Sequence, residues 1–405
     1  MDRFKRFFSD VSVRCAAFLM AYYMTNSVFQ SFMSLYYTDI GLNNTQIGTI
    51  NALVAVVSVP AMVLWGHAGD KAKVRNRLLV FMCVCAGALM LMVRISNAFV
   101  SVLSVVCAFS AFYTSIQPMG DSVVLTALDR ENRPFGPVRM AGGLSFAVVA
   151  ALFGYVEQAL GSVSSVYTVA GMCLVIALSA LYMPSVTGEK TRRGKSMMFG
   201  LFKNRELLIL FCLMVPLQLT YGYFYAFFSP LLRDDLGGGQ YVGWAYFLSA
   251  TSEVPFLLCS DRLFKKYGAG RLMCVSALFM TARWLIVAVT DSPVVAMLSQ
   301  LLHAMGFIVI TVTVSKYVQA TVPPDRKAGG QLLISVFGFG VARAIGYFGG
   351  GVLSDLTSRQ DVFYGCAALC FLCLMIFAPY YFRRPPLNGE PSQPVIAPKA
   401  GEKRE

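Results

Sequence analysis

The sequence predicts an all-α membrane protein in which twelve transmembrane helices form two pseudo-symmetric six-helix bundles. Hydrophobic residues make up 57% of the 405 residues, charged residues make up 14%, and the mean hydropathy is +0.62. This composition is far more apolar than that of a soluble globular protein. Twelve weakly charged runs of about eighteen residues or more can each cross a hydrocarbon core of about 30 Å as a helix. One polar, basic stretch near the middle separates six of these runs from the other six.

The predicted spans cover most of the chain. They are residues 11–37, 45–67, 77–97, 98–128, 134–160, 162–183, 206–232, 241–260, 270–290, 293–318, 328–355 and 360–382. A basic opening, MDRFKRFF, leads into a first span that is too long for a signal-peptide core and has no small-residue cleavage site after it. We therefore expect the first helix to remain in the mature protein.

The polar stretch at 184–205 predicts a cytoplasmic linker between the bundles. The bundles then cover 1–183 and 206–384, and the Pro-rich residues 385–405 are predicted to be a disordered cytoplasmic tail. An internal repeat supports this division. The loop GHAGDKAKVRNR after the second span has a counterpart, SDRLFKKYGAGR, after the eighth span, roughly 190 residues later.

The distribution of basic residues predicts the orientation of the chain. A net charge of +13 is compatible with a nucleic-acid partner, so the positions of the basic residues decide the question. With the N-terminus inside, the inner segments hold nearly all of them, and the outer loops keep only Arg94, Arg233 and Arg359. This is the positive-inside pattern of an even number of spans. We predict a multi-pass protein of the inner cell membrane, with both termini cytoplasmic and no nucleic-acid partner.

The sequence lacks the motifs that would indicate an enzyme or an ATP-driven pump. No HExxH, P-loop or G-x-S-x-G set is present. Nearly all of the eleven cysteines lie inside apolar spans and none lies in an outer loop, which predicts free thiols. Cys366, Cys370 and Cys373 share one face of the last helix without His or carboxylate partners nearby, so we expect core packing there. No cofactor or metal is expected.

The loop after the second span contains four residues of a known signature, Gly66, Asp70, Lys71 and Arg75. They resemble the G-x-x-x-D-[RK]-x-G-[RK]-[RK] motif of the major facilitator superfamily, from which Lys73 and Val74 depart. The resemblance implies that this loop helps to gate the cytoplasmic side, and we extend that role to Asp261 and Arg262 in the repeated loop. The alternative is that these are solvated charges that only set the topology.

Ionisable residues inside the spans are the first candidates for function, because a charge in the bilayer is costly unless it faces a cavity or a partner. They are Asp121, Arg139, Glu253, Arg283, His303 and Arg343. At about 1.5 Å per residue, Asp121 and Arg139 both fall in the cytoplasmic third of the bilayer, where they can pair. The other four fall near the middle.

The segment around Arg139 resembles the lactose permease and the related oligosaccharide, nucleoside and phenylpropionate proton symporters. FGPVRMAGGLSF, at 135–146, is similar to a permease segment in which an arginine follows F-G and an aromatic residue comes seven residues later. The resemblance implies that Asp121 and Arg139 bind solute hydroxyls and that Phe146 stacks on the solute. The alternative is an Asp121–Arg139 pair that only braces helices four and five.

The match to these permeases is incomplete where the coupled proton would bind. TARW and QLLHAMGF place Arg283 and His303 as in the proton-coupling cluster of the lactose permease. Gly306, however, stands where that permease has its proton-accepting carboxylate, and Gln300 replaces a lysine. The permease scheme therefore does not transfer unchanged.

Glu253, in SEVPFL of the eighth span, is the remaining candidate for the proton carrier. A carboxyl group near the bilayer midplane is sensitive to nearby charges, so movement of the solute or of a gate could switch its protonation. The alternative is a static ion pair of Glu253 with Arg283 or Arg343.

Uncharged polar residues at helical spacing complete the predicted cavity wall. They are Tyr23, Asn26, Gln30 and Ser34 on helix one, and Gln218, Tyr221 and Tyr225 on helix seven. Hydroxyls, amides and aromatic faces suit sugars, nucleosides and aromatic acids about equally. Interhelical hydrogen bonding without a solute is the alternative for each stripe.

These features predict a monomeric, proton-coupled symporter of a small polar solute, sugar- or nucleoside-like, that works by alternating access. Its partners would be the solute, protons and the lipid bilayer. The predicted substrate-binding residues are Asn26, Gln30, Asp121, Arg139, Phe146, Tyr221, Tyr225, Gln300 and His303, and the predicted proton-coupling residues are Glu253, Arg283 and His303. Three arginines against two carboxylates inside the membrane favour a small carboxylate, aromatic or other, as second candidate. A drug-exporting antiporter and a non-transporting receptor or scaffold also remain open.

Overall fold

The structure, a computed structural model, describes residues 10–188, 204–322, 327–384 and 386–387. Most of the predicted linker at 184–205 and nearly all of the predicted tail at 385–405 lie outside these residues. The described chain is a set of long helices joined by short connections.

Ten helical segments are long and apolar enough to span a membrane by length and composition. One of these segments is divided into two helices at Gly268, and α1 is added to the set, for the reasons given below. The described residues then contain twelve membrane helices. They are α1 Val11–Asp39, α2 Asn44–Lys71, α3 Arg75–Met92, α4 Phe99–Arg130, α5 Phe135–Leu160, α6 Val163–Tyr182, α7 Arg205–Pro230, α8 242–267, α9 269–289, α10 Pro293–Thr321, α11 Gly330–Leu356 and α12 Arg359–Phe382. The twelve predicted spans are confirmed to within a few residues of each end, except that α8 continues well past residue 260.

Helices α8 and α9 run on as one 48-residue helical segment, Val242–Val289, that is broken at Gly268. At about 1.5 Å per residue, such a segment is more than twice as long as a bilayer core is thick. Gly268 has φ 72° and ψ 169°, a conformation that favours glycine and that interrupts the helix with a kink. The segment therefore supplies two of the twelve crossings.

Helix α1 is absent from the ten apolar segments although it has 29 residues. Its polar side chains explain the difference, because Asn26, Gln30 and Ser34 interrupt its apolar character. More than half of its residues are buried against other helices. A helix that faces protein on most sides does not need a lipid-compatible surface.

Helices α1–α6 pack together as the N-terminal half, and α7–α12 pack together as the C-terminal half. The halves meet along three helix pairs, α2 with α11, α5 with α8, and α1 with α7. Close backbone approach requires glycine at two of these pairs. A Cβ on Gly351 of α11 would lie 2.5 Å from the Asn44 carbonyl oxygen at the start of α2, and one on Gly243 of α8 would clash with the Ala150 carbonyl oxygen of α5.

An even number of helices places the start of α1 and the end of α12 at the same side of the molecule, here called the termini face. The other side is called the opposite face. The halves are joined by hydrogen bonds in the part of the molecule near the opposite face. Asp355 of α11, for example, accepts from the backbone N–H of Asn44 and Thr45 of α2 at 3.0 and 2.8 Å, and Ser229 of α7 donates to the Ser31 carbonyl of α1 at 2.7 Å.

Candidate functional site

A central cavity lies between the two halves and encloses about 770 Å³ of space, including the part open to solvent. Helices α1 and α2 form one wall, and α7 and α11 form the other. Its lining residues are Asn26, Phe29, Gln30, Met33, Ser34, Tyr37, Asn51, Val54, Ala55, Tyr225, Phe339, Arg343 and Tyr347. Both halves therefore contribute to a single site.

The wall from the N-terminal half presents amide groups. Asn26 donates from Nδ2 to Oε1 of Gln30 at 3.3 Å, and Asn51 of α2 donates to the Ile47 carbonyl at 2.9 Å. Asn26, Gln30 and Ser34 of the predicted stripe on α1 all line the cavity. Asn51 was missed, although an amide in an otherwise apolar span was a signal that could have found it.

The wall from the C-terminal half presents a guanidinium group framed by aromatic rings. Arg343 donates from Nε and from Nη2 to Oε1 of Gln218, both at 3.1 Å. The Arg343 Cζ lies 5.1 Å from the ring centre of Tyr225 and 4.8 Å from that of Phe339. Sequence reasoning named Arg343 as a charge inside a span and a possible partner of Glu253, and the structure makes it part of the cavity wall.

Arg283, the other arginine of this half that was predicted as a charge inside a span, is fully buried and does not line the cavity. It donates from Nη1 to the Tyr221 hydroxyl at 3.3 Å and from Nη2 to Oε1 of Gln300. Its Cζ lies 4.3 Å from the ring centre of Phe224 and 4.5 Å from that of Trp284. Tyr221 and Gln300, both predicted to contact substrate, thus serve in this state as acceptors that hold an arginine behind the cavity wall.

The two predicted proton-coupling residues Glu253 and His303 are brought together. Oε1 of Glu253 on α8 lies 3.4 Å from Nε2 of His303 on α10. The His303 ring also stacks on Phe307, with 5.2 Å between ring centres. The alternative expectation of a static pair between Glu253 and Arg283 or Arg343 is wrong for this structure, in whose described residues neither arginine contacts a carboxylate within 4.0 Å.

The structure leaves no room for a carboxylate side chain at position 306, where the chain has Gly306. A Cβ built on Gly306 would lie 2.5 Å from the Tyr221 hydroxyl and 2.8 Å from Cγ of Met280. Tyr221 therefore occupies the space that a longer side chain at Gly306 would need. The departure from the lactose permease pattern is accommodated by the packing of α7, α9 and α10.

Asp121 and Arg139 do not form the predicted ion pair. The Arg139 Cζ lies 4.4 Å from the ring centre of Tyr23, whose hydroxyl accepts a 2.6 Å hydrogen bond from Gln117. Oδ1 of Asp121 is buried and has no hydrogen-bond partner among the described residues. The prediction rested on the equal depth of the two residues in the bilayer. Their side chains point in different directions, so they do not meet.

Phe146, predicted to stack on the solute, is half-buried and packs against the hydrophobic core. Its carbonyl oxygen accepts a hydrogen bond of 2.9 Å from the Ser27 hydroxyl of α1. The ring is not among the residues that line the central cavity. Phe146 is thus placed to join α5 to α1 in this state.

The predicted gating residues lie at the termini face in two matching arrangements. Arg75 at the start of α3 pairs with Asp70 of α2 at 3.5 Å and donates to the Ser122 hydroxyl of α4 at 3.0 Å. Lys316 of α10 pairs with Asp261 of α8 at 2.7 Å. Gly66 lines a small pocket beside Asp70 and Arg75, whereas Lys71 and Arg262 are exposed.

A cluster of charged residues at the opposite face was missed by sequence reasoning. Arg233, just beyond α7, pairs with Asp39 at 2.6 Å, with Glu157 at 3.2 Å and with Asp234 at 2.6 Å. These residues are called the Arg233 cluster below. Arg359 at the start of α12 makes a similar bridge, because it donates to Asn44 of α2 at 2.9 Å and pairs with Asp235 at 3.0 Å. The isolation of both arginines among outer loops was the signal that could have found them.

Comparison with known proteins gives the same fold and relates the chain to transporters. Residues 12–365 match the model of the MFS_1 like family. The chain is 29% identical over 261 residues to the maltose permease of Geobacillus stearothermophilus, a match that spans 62% of this chain and 64% of the permease. It is 22% identical over 340 residues to the xanthosine permease of Escherichia coli strain K12, which spans 76% and 79% of the two chains.

Solved structures agree with this assignment. The crystal structure of the nucleoside transporter NupG superposes with a TM-score of 0.81 at 15% sequence identity, covering 93% of this chain and all of that one. At this identity the likeness shows the fold alone. The family match across most of the chain, with its permease relatives, places the protein among transporters rather than enzymes. The chain belongs to the MFS_1 like family of the major facilitator superfamily.

Proposed function

We propose that this transporter is a proton-coupled symporter that carries a small polar solute, sugar- or nucleoside-like, by alternating access. The observation that carries the proposal is the central cavity, whose amide wall and aromatic wall come from different halves of the molecule. A site shared by two bundles can be reached from either face as one bundle rocks against the other. The hydrogen bonds that join the halves near the opposite face support a state closed on that side.

The contact between Glu253 and His303 supports the proton-coupling part of the proposal. A carboxyl group beside an imidazole, within a largely buried cluster, can hold and release one proton. Glu253 also lies near enough to Arg139 to interact with it electrostatically. Hydrogen bonding of a solute to Arg139 would change the field at Glu253, which would couple solute binding to protonation.

We place the predicted substrate contacts at Asn26, Gln30, Asp121, Arg139, Phe146, Tyr221, Tyr225, Gln300 and His303, and we add Asn51 and Arg343 from the cavity lining. We assign proton coupling to Glu253, Arg283 and His303. The excess of basic residues in the inner loops supports a cytoplasmic termini face in the inner membrane. Residues 184–205 would then be a cytoplasmic linker between two bundles, and gating would involve the loops at Asp70 and Asp261.

Purified protein in proteoliposomes tests the proposal. Sugars, nucleosides and aromatic acids are added one class at a time while the external pH is recorded. Alkalinisation outside with one class, abolished by a protonophore, is the expected result. Accumulation of a solute without any pH response would remove proton coupling, and external acidification would indicate an exporter that exchanges solute for protons.

A small aromatic carboxylate is the second candidate solute. The specific observation in its favour is Arg343, a cation in the cavity wall that has no carboxylate partner within 4.0 Å among the described residues. The same proteoliposome assay separates this candidate from the neutral solutes.

A further inference from the structure

The central cavity has one charged residue in its described lining, and that residue is positive. The remaining side chains of the lining are amides, hydroxyls, aromatic rings and apolar groups. The polar groups of the wall that faces Arg343 are all neutral and belong to Asn26, Gln30, Ser34, Tyr37 and Asn51. A solute in this space therefore meets a single fixed positive charge.

The Arg343 guanidinium is held by one edge, and its other N–H groups are free to bind a ligand. Gln218, which is fully buried, accepts from Nε and Nη2 at 3.1 Å through a single oxygen. Arg343 itself is only half-buried, and its remaining N–H groups have no acceptor in the part of the chain that the structure describes. A neutral amide that anchors one edge leaves the positive charge uncompensated.

Aromatic rings fix the plane of the guanidinium and extend into the cavity. The Arg343 Cζ lies 4.8 to 5.4 Å from the ring centres of Phe339, Tyr225 and Phe307. Tyr225 and Phe339 also line the cavity, together with Tyr347. Aromatic faces next to a guanidinium suit a flat solute ring that carries an acidic group. The solute ring stacks on the aromatic side chains, while the guanidinium N–H groups bind the acidic group.

The neighbouring charges leave the positive excess in place. Among the described residues Arg283 also has no carboxylate partner, since its acceptors are the neutral Tyr221 and Gln300. Glu253 is engaged by His303. Because an unpaired charge within a membrane protein is unfavourable, an anion brought by the solute would be stabilised at this position.

We propose that Arg343 is an anion subsite and that the natural solute is a flat aromatic molecule with one negative charge. The charge, a carboxylate or an ionised heteroaromatic ring, binds the free N–H groups of Arg343, and the ring lies against Tyr225 and Phe339. The polar groups of the solute bind the amides of Asn26, Gln30 and Asn51. This inference rests on the proposed function, because it concerns the solute of the same cavity, and it selects an aromatic anion over the neutral sugars and nucleosides.

Equilibrium binding to the purified chain tests the subsite without requiring transport. One arm compares 3-phenylpropionate with its neutral amide, and the other compares xanthosine, whose base ionises near neutral pH, with inosine, whose base stays neutral. The wild type is expected to bind the anion of at least one pair about ten-fold tighter or more, because charge-assisted hydrogen bonds to a fixed guanidinium favour it. The arm that responds identifies the source of the charge.

Three variants locate the effect. Arg343→Gln should bring the anion-to-neutral ratio close to one while the neutral compound keeps its affinity, and Arg343→Lys should restore part of the preference. Arg77→Gln, an exposed arginine at the start of α3, is the matched control and should leave the ratio unchanged. If Arg343→Gln does not fold, loss of part of the wild-type ratio in Arg343→Lys carries the same information.

A wild type with no preference for the anion in either arm overturns the subsite, and so does an Arg343→Gln variant that keeps the preference. Neither result touches the proposed function, since neutral sugars or nucleosides could still give proton-coupled uptake. Conversely, a strong Arg343-dependent preference together with solute-driven external acidification would keep the subsite and overturn symport.

Discussion

Arg233 of the C-terminal half binds both carboxylate oxygens of Asp39 at the end of α1, from Nη2 at 2.6 Å and from Nη1 at 3.1 Å. The two residues belong to different halves, so the paired hydrogen bonds tie the bundles together at the opposite face. A fork-to-fork pair of this kind is directional as well as strong. The Arg233 side chain is only 18% exposed, which limits competition from water and salt.

Arg233→Gln is expected to open the opposite face more often. The substitution removes the charge that holds Asp39 and Glu157, while each half keeps its own packing. A loss of about 1–2 kcal/mol from the closed state shifts the equilibrium by about ten-fold. Hydrogen–deuterium exchange of peptides that cover 39–45 and 353–360 should rise accordingly.

Arg94→Gln is the matched control, because Arg94 lies on the same side and its hydrogen bond, 3.4 Å to the Tyr36 hydroxyl, stays within the N-terminal half. A charge swap, Asp39→Arg with Arg233→Asp, should bring exchange back toward the wild-type level. Unchanged exchange in Arg233→Gln would mean that the Arg233 cluster does not hold the halves together.

Gly48→Val tests the same closure by steric means. A Cβ on Gly48 of α2 would meet the backbone of α11 at the Tyr347 carbonyl and lie 3.3 Å from the Gly351 Cα. Backbone atoms cannot move aside as a flexible side chain would, so α2 and α11 must separate near the opposite face. We expect increased exchange at 39–45 with little change at the termini face.

The control for this substitution is Gly171→Val on α6, where an added Cβ meets nothing within 4 Å. If Gly48→Val leaves both faces unchanged in exchange while Gly171→Val behaves as wild type, close contact of α2 with α11 does not control closure.

The sequence predicts the helices well because hydropathy depends on local composition, which the bilayer enforces along each span. Even α1, the least apolar helix, is found because it is a long run with few charged residues. The depth of each charged residue follows from the same reasoning. The pairing of charges does not, because pairing depends on how each helix is rotated and tilted against its neighbours.

Asp121 and Arg139 illustrate this limit. Their shared depth predicted a pair, but Arg139 faces Tyr23 and an Asp121 oxygen has no hydrogen-bond partner among the described residues. Glu253 was identified by its rarity, yet the side chain in contact with it is His303 and not Arg283 or Arg343. Arg343 was seen as a charge but not as part of a cavity, since a cavity exists only once the two halves are placed against each other.

Glu253→Gln is expected to abolish uphill accumulation while sparing solute exchange between the two sides. Glutamine keeps the size of the side chain and a polar group beside His303 but cannot take up a proton. Uptake driven by a pH gradient and counterflow without a gradient are measured on the same proteoliposomes. Glu131→Gln, an exposed carboxylate in the loop after α4, is the control and should retain both activities. Uphill uptake by Glu253→Gln would assign the proton to another group.

Asp121→Asn separates a substrate contact from a structural brace. In the described residues Asp121 has no cation within 4.0 Å, so replacing its charge should change the melting temperature by no more than about 2 °C. Solute binding should weaken by about ten-fold if the carboxylate accepts hydrogen bonds from the solute. Both quantities are measured on purified protein, with Asp129→Asn, an exposed residue of the same helix, as control. A marked fall in melting temperature with unchanged binding would favour the brace, and would imply that Asp121 finds its cation in another state of the transport cycle.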